Sequence, residues 1–360
     1  MHTIHKRTII YLVILFACFI QNIQAKEAES PIVSSVVITK PQHNLPGALP
    51  DRKEVYLMPV KLTTKQKEAL IGPKITSTIK TIGLPNKVSV GMNNVPVLDQ
   101  GKHGSCVTFA ITGALDALIG KGDYVSQLCS LELGSYLETR GYLPSGWNGS
   151  NGFIVLNQIQ QYGIVNKENQ KNKSCGGVFE YPTQDRNSIG NPMSLDEFKS
   201  MSENMINGEY AFYWEPSLTF FQRFFWQSEK LESEKVLMNV KKFLADKENA
   251  DVARLTFGIF LPVSHCSAGA CASYHATDDT WALTDAIKSD KSPDFCGHEM
   301  VITGYDDNAV AIDNAGMKHQ GLLFLRNSWG DNVGDHGNYY MTYDFFKAYV
   351  MDIQKIYLVK

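Results

Sequence analysis

Hydrophobic and polar positions change rhythm along this chain. Val107, Ala110, Ile111, Ala114 and Leu118 recur at helical spacing across Ser105 to Ile119, with small neighbours, and predict a helix suited to burial. Phe153 to Tyr162 predicts another, stopped by Gly163. Ser194-Leu195-Asp196-Glu197 is a capping box that opens a helix running toward Met205, and Val236 to Ala245 is amphipathic. After about residue 253 the rhythm turns to that of strands: Leu255, Phe257, Ile259 and Leu261 alternate, and Met300 to Tyr305, Leu322 to Arg326 and Asn338 to Thr342 read as further strands. Helices first and strands afterwards suggest an α+β fold, with two subdomains and a cleft between them.

The first 83 residues read differently. His5, Lys6 and Arg7 precede an unbroken apolar run from Ile9 to Ile20, and the polar stretch after it reaches Ala25. This is the layout of a signal peptide spanning residues 1–25, with a run too short for a confident membrane span. An imperfect lipoprotein-type box, Leu15-Phe16-Ala17-Cys18, is the rival reading; Phe16 fits it poorly. β-Branched runs at Pro31 to Thr39 and Glu54 to Leu62 flank a turn containing Leu45-Pro46-Gly47, and Thr63-Thr64 cap a short helix that Gly72-Pro73 ends. Residues 26–83 thus predict a hairpin, turn and helix that bury little surface alone and need something larger to dock on.

Composition narrows the field. Hydrophobic residues are 44%, charged residues 20% and the net charge −3, which gives no reason to expect nucleic acid or an anionic membrane as partner. The chain is expected to be exported, through a periplasm or beyond, and to work as a monomer. Seven cysteines are present, six without Cys18. In an oxidising compartment thiols tend to pair, and one reactive thiol leaves five, which cannot all pair within the chain.

Short clusters carry the chemistry. Gln100-Gly101-Lys102-His103-Gly104-Ser105-Cys106 places Cys106 at the start of the strongest helix. Exposed backbone N–H groups and the helix dipole stabilise a thiolate there, and an inert buried cysteine is the competing reading. Cys296-Gly297-His298-Glu299 sets a histidine at the start of a predicted strand, and Asn327-Ser328-Trp329-Gly330 ends the next. A base and an orienting amide at neighbouring strand ends, facing a helix N-terminus, form a Cys, His, Asn arrangement for acyl transfer.

These three segments resemble the papain family of cysteine peptidases over about Leu84 to the C-terminus. The resemblance implies a papain-like two-subdomain fold, a peptidase domain over 84–360 and peptide or protein substrates, and calls for no cofactor or metal. It assigns Cys106 as nucleophile, His298 as base, Asn327 as orienting amide and Gln100 as oxyanion donor. Trp329 shields the His–Asn contact, and Gly149 and Ser150 pair with extended substrate backbone. Glu299 stands where a small residue usually lies beside a substrate pocket; an acidic or narrowed pocket and a carboxylate satisfied by a neighbour both remain open. The resemblance also implies an inhibitory prodomain over 26–83, removed on activation.

Departures from the family pattern matter too. The usual disulfide next to the nucleophile is missing at both ends, where His103 and Trp147 stand, and His103 reads as a packing substitute rather than the base. Cys129 and Cys175 lie roughly where the family has another disulfide. Of Cys266, Cys271 and Cys296 at least one should be free; a zinc site with His298 is the alternative. The aromatic segment Tyr210 to Trp226 reads as added core packing and Cys266 to Asp294 as a surface excursion; a lid and a cleft-rimming loop are the rival readings. An endopeptidase made as a zymogen is the leading expectation. An exopeptidase, another thiol acyl-transfer enzyme and a non-catalytic binding homologue are the alternatives.

Overall fold

A computed structural model describes residues 34–39, 52–71, 83–144, 146–185, 187, 189–205, 211–219 and 233–359. The signal-peptide reading of residues 1–25 lies outside them, as does the loop at Leu45-Pro46-Gly47.

Two β-branched runs become strands, and the second buries alternate residues, Val55 and Leu57. Strands β1 (Ser34–Thr39) and β2 (Arg52–Pro59) pair antiparallel, with Ser34 opposite Leu57 and Thr39 opposite Arg52. Helix α1 (Thr64–Ile71) follows. Thr63 and Gln66 close it reciprocally: the Thr63 N–H donates to Gln66 Oε1 (2.9 Å) and the Gln66 N–H to Thr63 Oγ1 (3.3 Å). These elements do not stand apart. Met58 pairs with Gly297 and Pro59 with Cys296 in a later strand, while Val55, Leu57 and Leu70 are buried in the same cluster as Phe257, Ile259 and Phe346.

Next come β3 (Lys87–Ser89) and α2 (Cys106–Ile119), the helix predicted from periodicity. Every residue of α2 is buried, and Gly120 ends it in the left-handed region (φ 76°). Around it lie α3 (Gln127–Glu138), α4 (Gly152–Tyr162) and α5 (Lys167–Lys173). A disulfide between Cys129 and Cys175 ties α3 to the segment after α5. Helix α6 (Leu195–Lys199) is shorter than its capping box suggested. The Met201 N–H turns back to the Phe198 carbonyl, and Glu203 forms a bridge with Ile164 in place of another helical turn.

The strand-rich half contains β4 (Ala211–Leu218), α7 (Ser233–Ala245), β5 (Ala253–Pro262), β6 (Ala272–Ser273), β7 (Thr280–Trp281), α8 (Asp285–Ser289), β8 (Phe295–Asp313), β9 (Lys318–Arg326), β10 (Asn338–Thr342), α9 (Tyr343–Tyr349) and β11 (Val350–Val359). β4, β11, β5 and β8 pair antiparallel in that order, and β8, β9 and β10 continue the sheet. β7 runs parallel to β10, and β6 joins β7 to β8, closing a small barrel. β8 extends well past the predicted Met300 to Tyr305. Its polar Asp306-Asp307-Asn308 stretch reads as a break but is a register shift, where Asp306 Oδ1 accepts the N–H groups of Asn308 and Ala309. The expected α+β class is the observed one, with α2 and α4 packed against one set of sheet residues (Val301, Ile356, Leu358) and α7 and α9 against another (Met300, Ile302, Ile353). Of the aromatic segment, β4 buries Phe212 against α2 and half-buries Trp214, and the rest beyond Thr219 lies outside the described residues.

One buried carboxyl in this half-helical core has a testable consequence. Asp116 is fully buried on α2; its Oδ1 accepts the Val125 N–H at 2.9 Å and its Oδ2 has no partner. Burial pushes the carboxyl up to about 8. An acid raised in the folded state keeps its proton there while the unfolded chain loses it. The stabilisation is therefore whole below about pH 4 and drains away as pH rises toward 8. Asp116→Asn keeps an acceptor for Val125, so its melting temperature should fall less than wild type's between pH 5 and pH 8, read by circular dichroism.

Candidate active site

The site forms where the N-terminus of α2 abuts the start of β8 and the end of β9. Cys106 is the first residue of α2, because Gly104-Ser105 breaks the preceding loop and the apolar run starts there. It is a free, buried thiol, and the backbone N–H groups of Val107 and Glu299 face its sulfur. The Glu299 N–H comes from β8, so the sulfur lies against the His298–Glu299 peptide.

His298 and Asn327 are brought together across β8 and β9. The imidazole Nε2 lies 2.8 Å from Asn327 Oδ1; an amide oxygen only accepts, so Nε2 carries the proton. The other nitrogen, Nδ1, is buried without a partner. Trp329 stacks on the imidazole at 4.6 Å between ring centroids and 26° between planes, and is itself fully buried against Trp281 and Tyr339. It packs over the His–Asn contact.

Gln100 knits the two halves. Its backbone N–H donates to the Ser328 carbonyl (2.8 Å), its Oε1 accepts from Ser328 Oγ (2.7 Å), and its Nε2 donates to the His103 carbonyl (2.8 Å). An amide nitrogen carries two hydrogens, so one remains for a further acceptor. Ser328, which the sequence reading passed over, also donates its N–H to Asn327 Oδ1 (2.8 Å). Its place inside Asn327-Ser328-Trp329-Gly330 was the available signal.

His103 lies apart from this constellation. Its Nε2 donates to the Pro182 carbonyl (2.7 Å) and its ring meets Trp147 edge-on at 4.8 Å. The two residues that stand where the family's disulfide would be are thus in aromatic contact. Of the three remaining cysteines, Cys266 pairs with Cys271, and Cys296 is buried and outside both disulfides. Among the described residues no group of three or more His, Cys, Asp or Glu is arranged to hold a metal ion.

Gly149 and Ser150 lie beside the nucleophile loop: Gly149 bridges to Gly146, and the Gly104 N–H donates to the Trp147 carbonyl. Strand β2 occupies this strip. A Cβ on Gly149 would fall 2.3 Å from Met58 Sδ, so only glycine lets Met58 sit there. Glu299 does not open onto the strip. It faces Gly258 across the β5–β8 ladder, and Gly258 faces Asp352 across β5–β11, leaving two buried carboxyls either side of a residue with no side chain. Burial and the Asp352 carboxyl hold Glu299 well above the usual carboxylate range. Thr256 hydrogen-bonds one of its oxygens, while Oε1 has no partner.

Electrostatics differ from the thiolate–imidazolium pair that the resemblance implies. Burial pushes the Cys106 thiol up to about 12, with the Glu299 charge adding to the rise, and burial takes the His298 imidazole down to about 4. Burial thus favours the neutral form of each group in this closed arrangement.

Comparison with known proteins bears on the strand-rich half. The Peptidase C1-like family matches residues 275–359, the stretch that carries His298, Asn327 and Trp329. No curated protein matches the sequence. Among solved structures, xylellain, a cysteine protease from Xylella fastidiosa, is 16% identical over 79% of this chain and 91% of its own, with a TM-score of 0.46. The ragweed pollen cysteine protease Amb a 11 in its proform is 16% identical over 81% of this chain and 73% of its own, with a TM-score of 0.44. Digestive procathepsin L 3 of Tenebrio molitor larval midgut is 16% identical over 84% of this chain and 83% of its own, with a TM-score of 0.42. The family-matched stretch carries His298, Asn327 and Trp329 of the resemblance, while Gln100–Cys106 lies outside it, and the chain is similar to the Peptidase C1-like family over residues 275–359.

Proposed function

We propose that the protein is an exported cysteine endopeptidase, made as a zymogen, that cuts peptide bonds with Cys106, His298, Asn327 and Gln100. The observation that carries this reading is the His298 imidazole: Nε2 is held by Asn327 while Nδ1 is unpartnered, beside a free thiol at a helix N-terminus. An inert core histidine normally has both nitrogens satisfied. A base awaiting a proton does not.

In turnover, the Cys106 thiol passes its proton to His298 Nδ1 and the sulfur adds to a peptide carbonyl. The oxyanion is received by the Cys106 backbone N–H and the free Gln100 amide hydrogen. The C–N bond breaks as His298 returns the proton to the leaving amine. Water, losing a proton to His298, then attacks the thioester, releases the acid and restores the thiol. Gly149 and Ser150 offer extended backbone to the substrate, and Trp329 keeps water from the His–Asn contact. Two disulfides, Cys129–Cys175 and Cys266–Cys271, accord with an oxidising destination. Glu299, closed off with Asp352, is a wall of the cleft rather than an open charge.

Strand β2 supports the zymogen reading. It pairs with β8 one residue before His298, rests Met58 on Gly149, and sends Lys53 Nζ to Asp99 Oδ2 (2.7 Å) and to the Trp329 carbonyl (2.6 Å). No substrate strand can use Gly149 while Met58 is there. Residues 26–83 therefore act as a prodomain whose departure both opens and rehydrates the site.

An epoxide-type thiol-peptidase inhibitor should label the processed protein at Cys106, and neither Cys106→Ala nor His298→Ala should be labelled or cut peptides. Mass spectrometry that finds the label elsewhere sinks the mechanism. Gln100→Ala should lose about 10²–10³ in kcat. In the unprocessed chain, Lys53→Ala removes a partly buried, charge-assisted contact of the kind that contributes about 1.5–3 kcal/mol. Iodoacetamide should then modify Cys106 about tenfold faster than in wild type, and an unchanged rate would mean that β2 does not control access.

A further inference from the structure

The strip at Gly149 and Ser150 is tied to the sheet by the residue that follows it. Asn151 is held at both ends of its amide. Its Oδ1 accepts the Phe153 N–H (2.9 Å) as the N-cap of α4, and its Nδ2 donates to Asp352 Oδ2 (2.9 Å), 201 positions away on β11. Asp352 is 3% exposed, and no step of the proposed turnover uses it. Its other oxygen, Oδ1, accepts the Gly258 N–H at 3.0 Å. That bond sits where β11 shifts register against β5, between Val350 and Asp352.

Two glycines make room for this carboxyl. A Cβ on Gly258 would fall 2.6 Å from Asp352 Oδ1, and one on Gly152 would fall 2.9 Å from the Gln354 amide. Gln354 hydrogen-bonds Asp352 in turn. Burial pushes the Asp352 carboxyl up, and Glu299 lies across Gly258 as a second buried acid. Such a group is costly to bury, and donors from three segments converge on it: Gly258 of β5, Gln354 of β11 and Asn151 at the head of α4. Gly258 faces Glu299, the residue after His298. Strip and base are therefore joined through Asp352 and one intervening strand.

We propose that Asp352 is a positioning residue, holding Gly149 and Ser150 at the height over β8 where extended substrate backbone pairs with them. The inference rests on the peptidase reading for its purpose. Asp352 makes no hydrogen bond to Cys106, His298, Asn327 or Gln100, so losing the brace moves the strip and leaves the reacting groups in place. Recognition of a long peptide then suffers, while reaction of the thiol with a small molecule does not.

The test swaps the two side chains. Asp352→Asn sets one amide donor against another, and turning Asn151 over to accept would cost the α4 cap. Asn151→Asp keeps the cap and sets two carboxyls together. Combining both substitutions rebuilds the bond in reverse: the new amide donates to the new carboxylate, and its oxygen still accepts from Gly258. In protein matured from the full-length chain, each single variant should raise KM for an extended peptide about tenfold, with kcat and the rate of iodoacetamide modification of Cys106 within about twofold of wild type. The double variant should return KM to the wild-type value. A merely structural loss would lower kcat and the thiol rate as well. In the unprocessed chain, hydrogen exchange at Gly149 and Ser150 should be about tenfold faster in each single variant and return in the double, a readout that needs no turnover. An unchanged KM in the single variants, a loss of kcat in its place, or a double variant that stays weak overturns the proposal. The double variant decides even if a single variant fails to fold. If wild type cuts peptides while the swap restores nothing, only this inference falls; if wild type cuts nothing and hydrogen exchange follows the swap, only the peptidase reading falls.

Discussion

The whole arrangement depends on one packing constraint: α2, buried along its full length, must meet β8 and β9 end-on at its N-terminus. A helix this apolar has no solvated face, so the sheet, α3, α4 and β11 all close round it. That fixes where its first N–H groups point. Gln100 then makes the junction rigid through three hydrogen bonds, two to Ser328 on one side and one to the loop's own His103 on the other. Asp99 and Trp329 add a backbone bridge beside it. Cys106 and His298 come from segments almost two hundred residues apart, yet they share this seam, so their relation is set by core packing rather than by loop flexibility.

The same burial that fixes the geometry opposes the chemistry. A thiolate and an imidazolium need solvent, donors or each other, and the closed cleft supplies few of these. Strand β2 brings Val55 and Leu57 into the main core and sets Met58 on Gly149. Under the proposed zymogen reading, that one docking accounts for both the stability and the inactivity of the unprocessed chain.

Much of this could be read in the sequence, for identifiable reasons. Helix α2 declared itself by an uninterrupted period, the end of α4 by Gly163, and β10 by the run Asn338–Thr342. Cys106, His298 and Asn327 stood out as candidates because their types, order and local element ends all agreed. What escaped was what depends on contacts between distant segments. Nothing around Tyr181 marks it as a partner of Ser105, since the hydrogen bond links residues 76 positions apart. The docking of β2 on β8 was equally hidden: the hairpin pattern was plain, but the strand that would receive its edge was not. β8 itself read too short because the polar stretch at Asp306 resembles a turn, whereas its carboxylate satisfies the bulge from within the strand.

The missing disulfide shows how one constraint can be met by two kinds of chemistry. A covalent link beside the nucleophile restricts the loop in the unfolded chain as well as the folded one. The contacts found here act only once the core has formed: His103 on Trp147, Trp147 on Tyr181, and Tyr181 on the carbonyl of Gln100. Each is worth little alone, about 0.5–1.5 kcal/mol for an aromatic pair and a similar amount for a neutral hydrogen bond. Their advantage is that they are directional, and a disulfide is not a hydrogen-bond donor. Replacing the sulfur pair by a phenol adds a group that ties the Ser105 hydroxyl and the Gln100 carbonyl together at the head of α2.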